Sequence, residues 1–183
     1  MMVKMSHVKK TNITAVCIAL CVVLPMAFHT IPGAGGIFMP MHIPVLLCGL
    51  ICGWPFGLLC GVAGPLLSSL LTGMPQAVHI PAMLVELVSY GMITGIMMRL
   101  INTRKLYADL YISLVAAMLV GRVVAGISRA LIFAPGDYSV AIWATSFFVR
   151  SLPGMALQLA ILPTIVVALE TARVLPRKYP KAG

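Results

Sequence analysis

The 183-residue chain is 61% hydrophobic and only 9% charged, with 13 Lys and Arg, 4 Asp and Glu and a formal net charge of +9. Because a soluble domain carries about 25% charged residues, this composition excludes a soluble globular domain and a disordered chain. The apolar runs lack the polar–apolar alternation of membrane β-barrel strands. The composition therefore predicts an all-α membrane protein.

Six apolar segments predict about six transmembrane helices in one integral membrane domain that covers residues 1–183. The predicted helices are residues 12–29, 38–53, 56–73, 81–101, 107–134 and 141–173. The first resembles a signal peptide, but no small-residue cleavage site follows it, so we interpret it as a retained helix. Residues 41–53 are short for a bilayer core of about 30 Å. Residues 38–73 therefore form either two spanning helices or a re-entrant hairpin.

Lysines and arginines lie at segment ends that six crossings place on one side of the membrane. They are Lys4, Lys9, Lys10, Arg99, Arg104, Lys105, Arg173, Arg177, Lys178 and Lys181. The alternate loops, residues 30–40, 74–80 and 135–140, contain no Lys or Arg. The positive-inside rule then places both termini in the cytoplasm. Since topology accounts for the basic charge, we expect a lipid bilayer and no nucleic acid as partner.

Small residues mark helix-packing faces. Glycines recur every four residues at Gly49, Gly53, Gly57 and Gly61, and again at Gly91 and Gly95. Such spacing lets membrane helices approach closely. Ala15 and Ala19 have the same spacing and form either an internal contact or a surface for a partner helix.

The five cysteines, Cys17, Cys21, Cys48, Cys52 and Cys60, all fall inside apolar runs. We interpret them as small buried hydrophobic residues. No His or carboxylate is placed to complete a set of metal ligands around them, so the sequence predicts no metal site and no cofactor.

Three arginines, Arg122, Arg129 and Arg150, lie inside predicted helices, where a charge costs about 2.5–3.5 kcal/mol or more. At about 1.5 Å per residue, Glu86, Arg129 and Arg150 lie about 7–14 Å below the outer surface. Arg122 precedes Arg129 by seven residues and so shares its face. These four charges predict a binding site in the outer half of three successive helices. Gln158, His79 and Tyr90 are further candidates for orienting hydrogen bonds.

The alternative to a binding site is a structural one, in which Glu86 and one arginine form a buried ion pair that fixes helix register. Such a pair leaves other arginines for an anion or an aqueous cavity to compensate. Tyr138, His29 and His42 lie near the outer loops and are ambiguous. Asp109 and Glu170 lie near cytoplasmic helix ends, where we expect structural roles.

Motifs of catalysis are missing from the sequence. It contains no phosphate-binding GxxxxGK[ST] loop and no HExxH motif, and no serine lies in a GxSxG context. We therefore predict that the chain is not an enzyme and name no catalytic residue. The best pair for an intramembrane enzyme is His79 with a helix serine.

The segment FMPMHIPVLLCGLICGWPFGLLCGVAGPLLSSLLTGMP (38–75), followed by MLVELVSYG (83–91), resembles the substrate-binding S components of energy-coupling factor (ECF) vitamin transporters. The likeness covers essentially the whole chain and is greatest for the group that includes pantothenate transporters. It implies a high-affinity vitamin-binding subunit, in a prokaryotic cytoplasmic membrane, that works with a transmembrane T subunit and two ABC ATPases. It also implies that Ala15 and Ala19 contact the T subunit and that ligand binds beneath the outer loops.

The predicted site contains three arginines and one acid, and this balance favours a ligand with an anionic group. Pantothenate is the first candidate. S components for a queuine-type base, pyridoxine or a pyrimidine precursor are alternatives, because Glu86 would suit a cationic or neutral ligand. An alternative of another class is a non-transporting membrane scaffold, such as a rod-shape-determining protein.

Overall fold

A computed structural model describes residues 5–28, 34–133, 139–145, 149 and 151–179. Within these ranges the chain forms helices and no strand. The helices are α1 (His7–Phe28), α2 (Ala34–Phe38), α3 (His42–Cys52), α4 (Trp54–Thr72), α5 (Ile80–Leu100), α6 (Leu106–Ser128), α7 (Val140–Ala144) and α8 (Leu152–Thr171). A 3₁₀ turn, Ala77–His79, precedes α5, and a π-helical turn, Arg129–Phe133, extends α6.

Glycine, proline and serine set several helix ends. Gly53 alone separates α3 from α4 and has a φ of +91°, a conformation that disfavours other residues. Gly73 ends α4 in the left-handed conformation, and its N–H donates to the Ser69 carbonyl. Prolines stand in the first turns of α4, α5 and α8, where their missing N–H costs nothing. Ser139 caps α7 by accepting a hydrogen bond from Ile142 N.

Five helices in the described part of the chain are long and apolar enough to span a membrane: His7–Phe28, Trp54–Thr72, Ala77–Leu100, Leu106–Ile132 and Leu152–Thr171. They confirm the predicted all-α membrane fold. The apolar α3 has 11 residues and is about 17 Å long, less than the bilayer core. The region predicted as one helix over 141–173 contains α7 and α8. Residues 146–148 and 150, between these two helices, lie outside the described residues.

Successive long helices run in alternate directions, so the bundle has two ends. The terminal end carries the start of α1, residues 101–105 and the tail after α8; the loop end carries residues 39–41 and 73–79. Helix α5 packs against α3, α4 and α6, while α1 packs on α3 and α4, and α8 packs on α3 and α6. The core follows these contacts and includes Leu46, Leu87, Leu114 and Leu162.

The predicted glycine faces lie at the α3–α4–α5 contact. A Cβ on Gly57 would lie 2.3 Å from the Gly91 carbonyl oxygen, and one on Gly49 would lie 2.5 Å from the same atom. A Cβ on Gly95 would lie 2.2 Å from Trp54 N. These distances leave no room for a side chain, so the predicted role of Gly49, Gly57, Gly91 and Gly95 in close helix packing is confirmed. The prediction was wrong for Gly53, where a Cβ would meet nothing within 4 Å, because this glycine forms the turn between α3 and α4. All five cysteines are buried and free.

The tail after α8 folds back onto residues 101–109 and forms the terminal-end cluster: Thr103, Asp109, Lys178 and Tyr179. Asp109 Oδ1 accepts hydrogen bonds from Thr103 N at 2.9 Å and Thr103 Oγ1 at 2.6 Å. Its Oδ2 accepts from Lys178 Nζ at 2.5 Å and from the Tyr179 hydroxyl. The Asp109 side chain is fully buried, so this carboxylate joins the tail to the loop between α5 and α6.

Candidate functional site

At the other end of the bundle, Glu86 and His42 form a buried hydrogen-bonded contact. His42 is the first residue of α3, and its Nε2 lies 3.3 Å from Glu86 Oε1 on α5. The two residues are 5% and 8% exposed. The His42 ring also meets the Tyr90 ring edge-on, with centroids 5.1 Å apart. The predicted partner of Glu86 in a structural ion pair was an arginine, whereas the hydrogen-bonded partner here is a histidine.

Arg122 on α6 is the largest fully buried side chain among the described residues. Its Nη1 donates to Ser151 Oγ at 2.6 Å, and its Nη2 lies 3.8 Å from Met39 Sδ. The backbone carbonyl of Arg122 accepts a hydrogen bond from Trp143 Nε1 at 3.1 Å. Ser151 and Met39, from two distant parts of the chain, therefore contact one guanidinium group, and Trp143 holds the backbone of the same residue.

The absence of a side chain at Gly121 makes room for the Tyr90 ring next to α6. A Cβ on Gly121 would lie 2.9 Å from two carbons of the Tyr90 ring, so the missing side chain leaves the space that the ring occupies. The Tyr90 hydroxyl lies beside the charges of Glu86 and Arg122. We call His42, Glu86, Tyr90, Arg122 and Ser151 the loop-end cluster.

Arg129 adds a second positive charge to this cluster. It is half-buried and stands where α6 passes into the π-helical turn, a feature often found at functional sites. Arg129 and Arg122 both lie close enough to stabilise the charge of the buried Glu86 carboxylate. Among the described residues, the cluster therefore combines the Glu86 carboxylate with two guanidinium groups and one imidazole.

Buried polar atoms that make no hydrogen bond within the part of the chain that the structure describes include His42 Nδ1, the Tyr90 hydroxyl and Gln158 Nε2. Leaving a buried donor or acceptor without a partner costs about 1–3 kcal/mol. His42 Nδ1 and the Tyr90 hydroxyl belong to the loop-end cluster, so this cluster has hydrogen-bonding capacity that a ligand can use.

The predicted site residues are only partly brought together. Glu86, Tyr90 and Arg122 are in one cluster, whereas Gln158 is fully buried on α8 two turns beyond Ser151. His79 is exposed in the 3₁₀ turn before α5. The predicted site residue Arg150 lies outside the described residues, as do Tyr138 and His29, whose roles the sequence left open.

Sequence reasoning left His42 ambiguous and did not select Ser151 or Met39. His42 was placed beside a loop, but it begins a short helix whose first turn lies deep in the bundle. The only available signal was the histidine itself, next to an apolar run that is too short to span a bilayer. Ser151 and Met39 carry no signal in the sequence, because only the fold places them beside Arg122.

The helix serines considered for catalysis are bound to the backbone. Ser68, Ser69 and Ser89 each donate a hydrogen bond to a backbone carbonyl, at 2.7, 2.8 and 2.7 Å. The loop-end cluster, in contrast, gathers charged and hydrogen-bonding groups of the kind that contact small polar molecules.

Comparison with known proteins assigns a family to this architecture. No curated protein shows significant sequence similarity to the chain. The family model described as ECF transporter, substrate-specific component, matches residues 9–169, which include α2 to α7, nearly all of α1 and α8, and the whole loop-end cluster. The resemblance noted from the sequence is thereby confirmed at the level of the family. The chain is a multi-pass membrane protein that belongs to the substrate-specific components, or S components, of ECF transporters.

Proposed function

We propose that this S component binds a vitamin or related small metabolite that carries an anionic group, and that it binds this ligand with high affinity at the loop-end cluster. The observation that carries the proposal is the set of groups that the described part of the chain brings together: Arg122 and Arg129 both act on the charge of the buried Glu86 carboxylate, which also contacts His42. In a site shielded from water, guanidinium groups attract an anion strongly. Arg150, Gln158 and His79 remain predicted ligand contacts.

Pantothenate is our first candidate. Its carboxylate suits the arginines, and its hydroxyl and amide groups suit the buried atoms His42 Nδ1 and Tyr90 Oη. The carboxylate contact matters most, because a bidentate arginine–carboxylate pair fixes the orientation of the ligand as well as adding affinity.

A panel of vitamins and nucleobase precursors tests the proposal. Thermal unfolding in detergent is measured for protein stripped of endogenous ligand, with each compound added separately. A ligand at 100 times its Kd stabilises the folded state by about 2.7 kcal/mol. We expect pantothenate or another anionic compound to give a shift of this size. No shift with any compound would favour the scaffold alternative, which needs no ligand.

The variant Glu86→Gln separates an anionic ligand from a cationic one. The amide keeps the shape of the side chain and its contact with His42, but removes the negative charge. We expect affinity for an anionic ligand to be unchanged or higher. A queuine-type base, pyridoxine in its cationic form or another ligand that needs the carboxylate would instead lose affinity, as calorimetry would show.

Helix α1 supports the proposed partnership with a T subunit and two ATPases. Its buried residues, Thr14, Cys17 and Cys21, face the bundle, whereas Ala15 and Ala19 are exposed. A surface of small residues permits close approach of a second helix. We further propose that the terminal end lies in the cytoplasm of a prokaryotic cell, because the basic residues at segment ends gather there.

A further inference from the structure

A cavity of about 390 Å³ opens at the terminal end, far from the loop-end cluster. The start of α1, the end of α3, the end of α8 and the tail enclose it, and a second cavity of about 460 Å³ adjoins it around Glu170 and Arg177. Each is within the size range of small-molecule sites, about 300–1,000 Å³. The proposed transport function uses neither cavity.

The first cavity has an apolar floor and a fixed wall. Leu50 and Ile51 of α3 and Val166 of α8 form the apolar part of the lining. The wall is the tail segment 175–178, which is held in place because Lys178 Nζ bonds to buried Asp109 and to the carbonyls of Met98 and Ile101, the last two at 3.0 Å. The cavity is therefore built by the fold.

The rim of the two cavities is basic. Lys9, Lys10, Arg173 and Arg177 line them, against one acid, Glu170, whose Oε1 accepts a hydrogen bond from the backbone N of Lys178. His7 also lines the first cavity. Lys10 lies with its Nζ 5.7 Å above the Phe56 ring, which orients the ammonium group. The rim thus carries a net positive charge that a phosphate group would complement.

The depth of the cavities agrees with a lipid ligand. They lie where α1 begins and where α8 ends, so the rim is at the level of the lipid headgroups, and the apolar floor is part of the buried core of the bundle. Helix α1 also exposes Val8 and Val16 to the bilayer, at 71% and 59%. Basic pockets between membrane helices on the cytoplasmic side bind anionic headgroups.

We propose that the basic cavity between α1, α3, α8 and the tail binds the phosphate headgroup of an anionic phospholipid, with Lys10 and Arg177 as its principal contacts. The acyl chains lie along the apolar surface of the bundle. This site is separate from the ligand site at the loop end and does not depend on which substrate binds there.

The experiment compares two charge-matched double variants in delipidated protein. Lys10→Gln/Arg177→Gln removes two cations from the rim, whereas Arg99→Gln/Lys105→Gln removes two exposed cations from the same membrane end that line neither cavity. Mixed micelles that contain phosphatidylglycerol or phosphatidylcholine are titrated in, with thermal unfolding and native mass spectrometry as readouts. We expect the cavity variant to lose about 30-fold in apparent affinity for phosphatidylglycerol, and the control to retain it.

Three results would overturn the proposal. They are equal affinity for the two lipids, equal losses in the two double variants, and a stabilisation by inorganic phosphate or glycerol phosphate that matches the effect of the lipid. If the cavity double variant does not purify as folded protein, Lys10→Gln and Arg177→Gln are compared singly with Arg99→Gln, and each should lose about fivefold. Equal affinity of all three single variants would likewise contradict the site.

Discussion

The two buried polar clusters differ in how completely their atoms are hydrogen-bonded. In the terminal-end cluster, Asp109 accepts four hydrogen bonds from three residues. In the loop-end cluster, His42 Nδ1 and the Tyr90 hydroxyl have no partner in the described part of the chain. A saturated cluster stabilises the fold by itself, whereas an unsaturated one costs stability until something binds. The comparison separates a cluster that is complete as folded from the cluster at which we propose that ligand binds.

The largest expected effect on stability is at Lys178. Lys178→Met leaves the buried Asp109 carboxylate without its cation, and breaking a buried pair in this way costs about 3–5 kcal/mol. We expect a large fall in unfolding midpoint in detergent, with ligand affinity of the folded fraction unchanged. Lys105→Met, which removes an exposed cation of the neighbouring loop, is the control and should unfold like the parent. An unchanged midpoint for Lys178→Met would mean that the terminal-end cluster does not stabilise the fold.

Substitution of Arg129 is expected to affect ligand affinity, the property that Lys178→Met should leave unchanged. Because hydrogen bonds to charged groups contribute about 1.5–3 kcal/mol, Arg129→Ala is expected to weaken binding of an anionic ligand about 10- to 150-fold, measured by calorimetry. Arg99→Ala removes a cation from the terminal end and should leave the Kd unchanged. Full affinity in Arg129→Ala would exclude this residue from the site.

One chemical change made in both clusters gives a direct test of the comparison. Tyr90→Phe and Tyr179→Phe each remove a single hydroxyl. Without ligand, Tyr90→Phe should keep or raise the unfolding midpoint, yet weaken ligand binding about tenfold. Tyr179→Phe removes hydrogen bonds to Asp109 and Asn102, so it should cost about 0.5–1.5 kcal/mol of stability and leave binding unchanged. Equal effects of the two substitutions would break the distinction between the clusters.

The smallest effect on either cluster is expected at Ala15. Ala15→Trp adds bulk to the exposed face of α1, so stability and ligand affinity should stay at parental values while co-purification with a T subunit is lost. Leu119→Trp, which alters an exposed position on α6, is the control and should assemble normally. An intact complex with Ala15→Trp would refute the proposed contact.

Much of the fold could be predicted from the sequence, because apolar length and glycine spacing are local signals. Gly57 and Gly91 were predicted as packing residues, and they do meet. Counting residues along each helix also placed Glu86, Arg122 and Arg129 in the outer half of successive helices, so these members of the candidate site could be predicted.

Two features depended on the fold and could not be predicted. Lys178 was interpreted as a cation that sets topology, but its ammonium group is largely buried against Asp109, 69 positions earlier in the chain. His42 was not selected, because the start of α3 is fixed by packing against α5 rather than by a local capping signal. Pairings over such sequence distances leave no periodic pattern to detect.

The shortness of α3 has a consequence for biogenesis. A helix of about 17 Å cannot be inserted as an independent span of a bilayer core of about 30 Å. Only Gly53 separates it from α4, and Gly49 and Gly57 bring both helices against Gly91. We therefore expect α3 to enter the membrane as one arm of a helical hairpin and to reach its final depth only after α5 has been synthesised and docked.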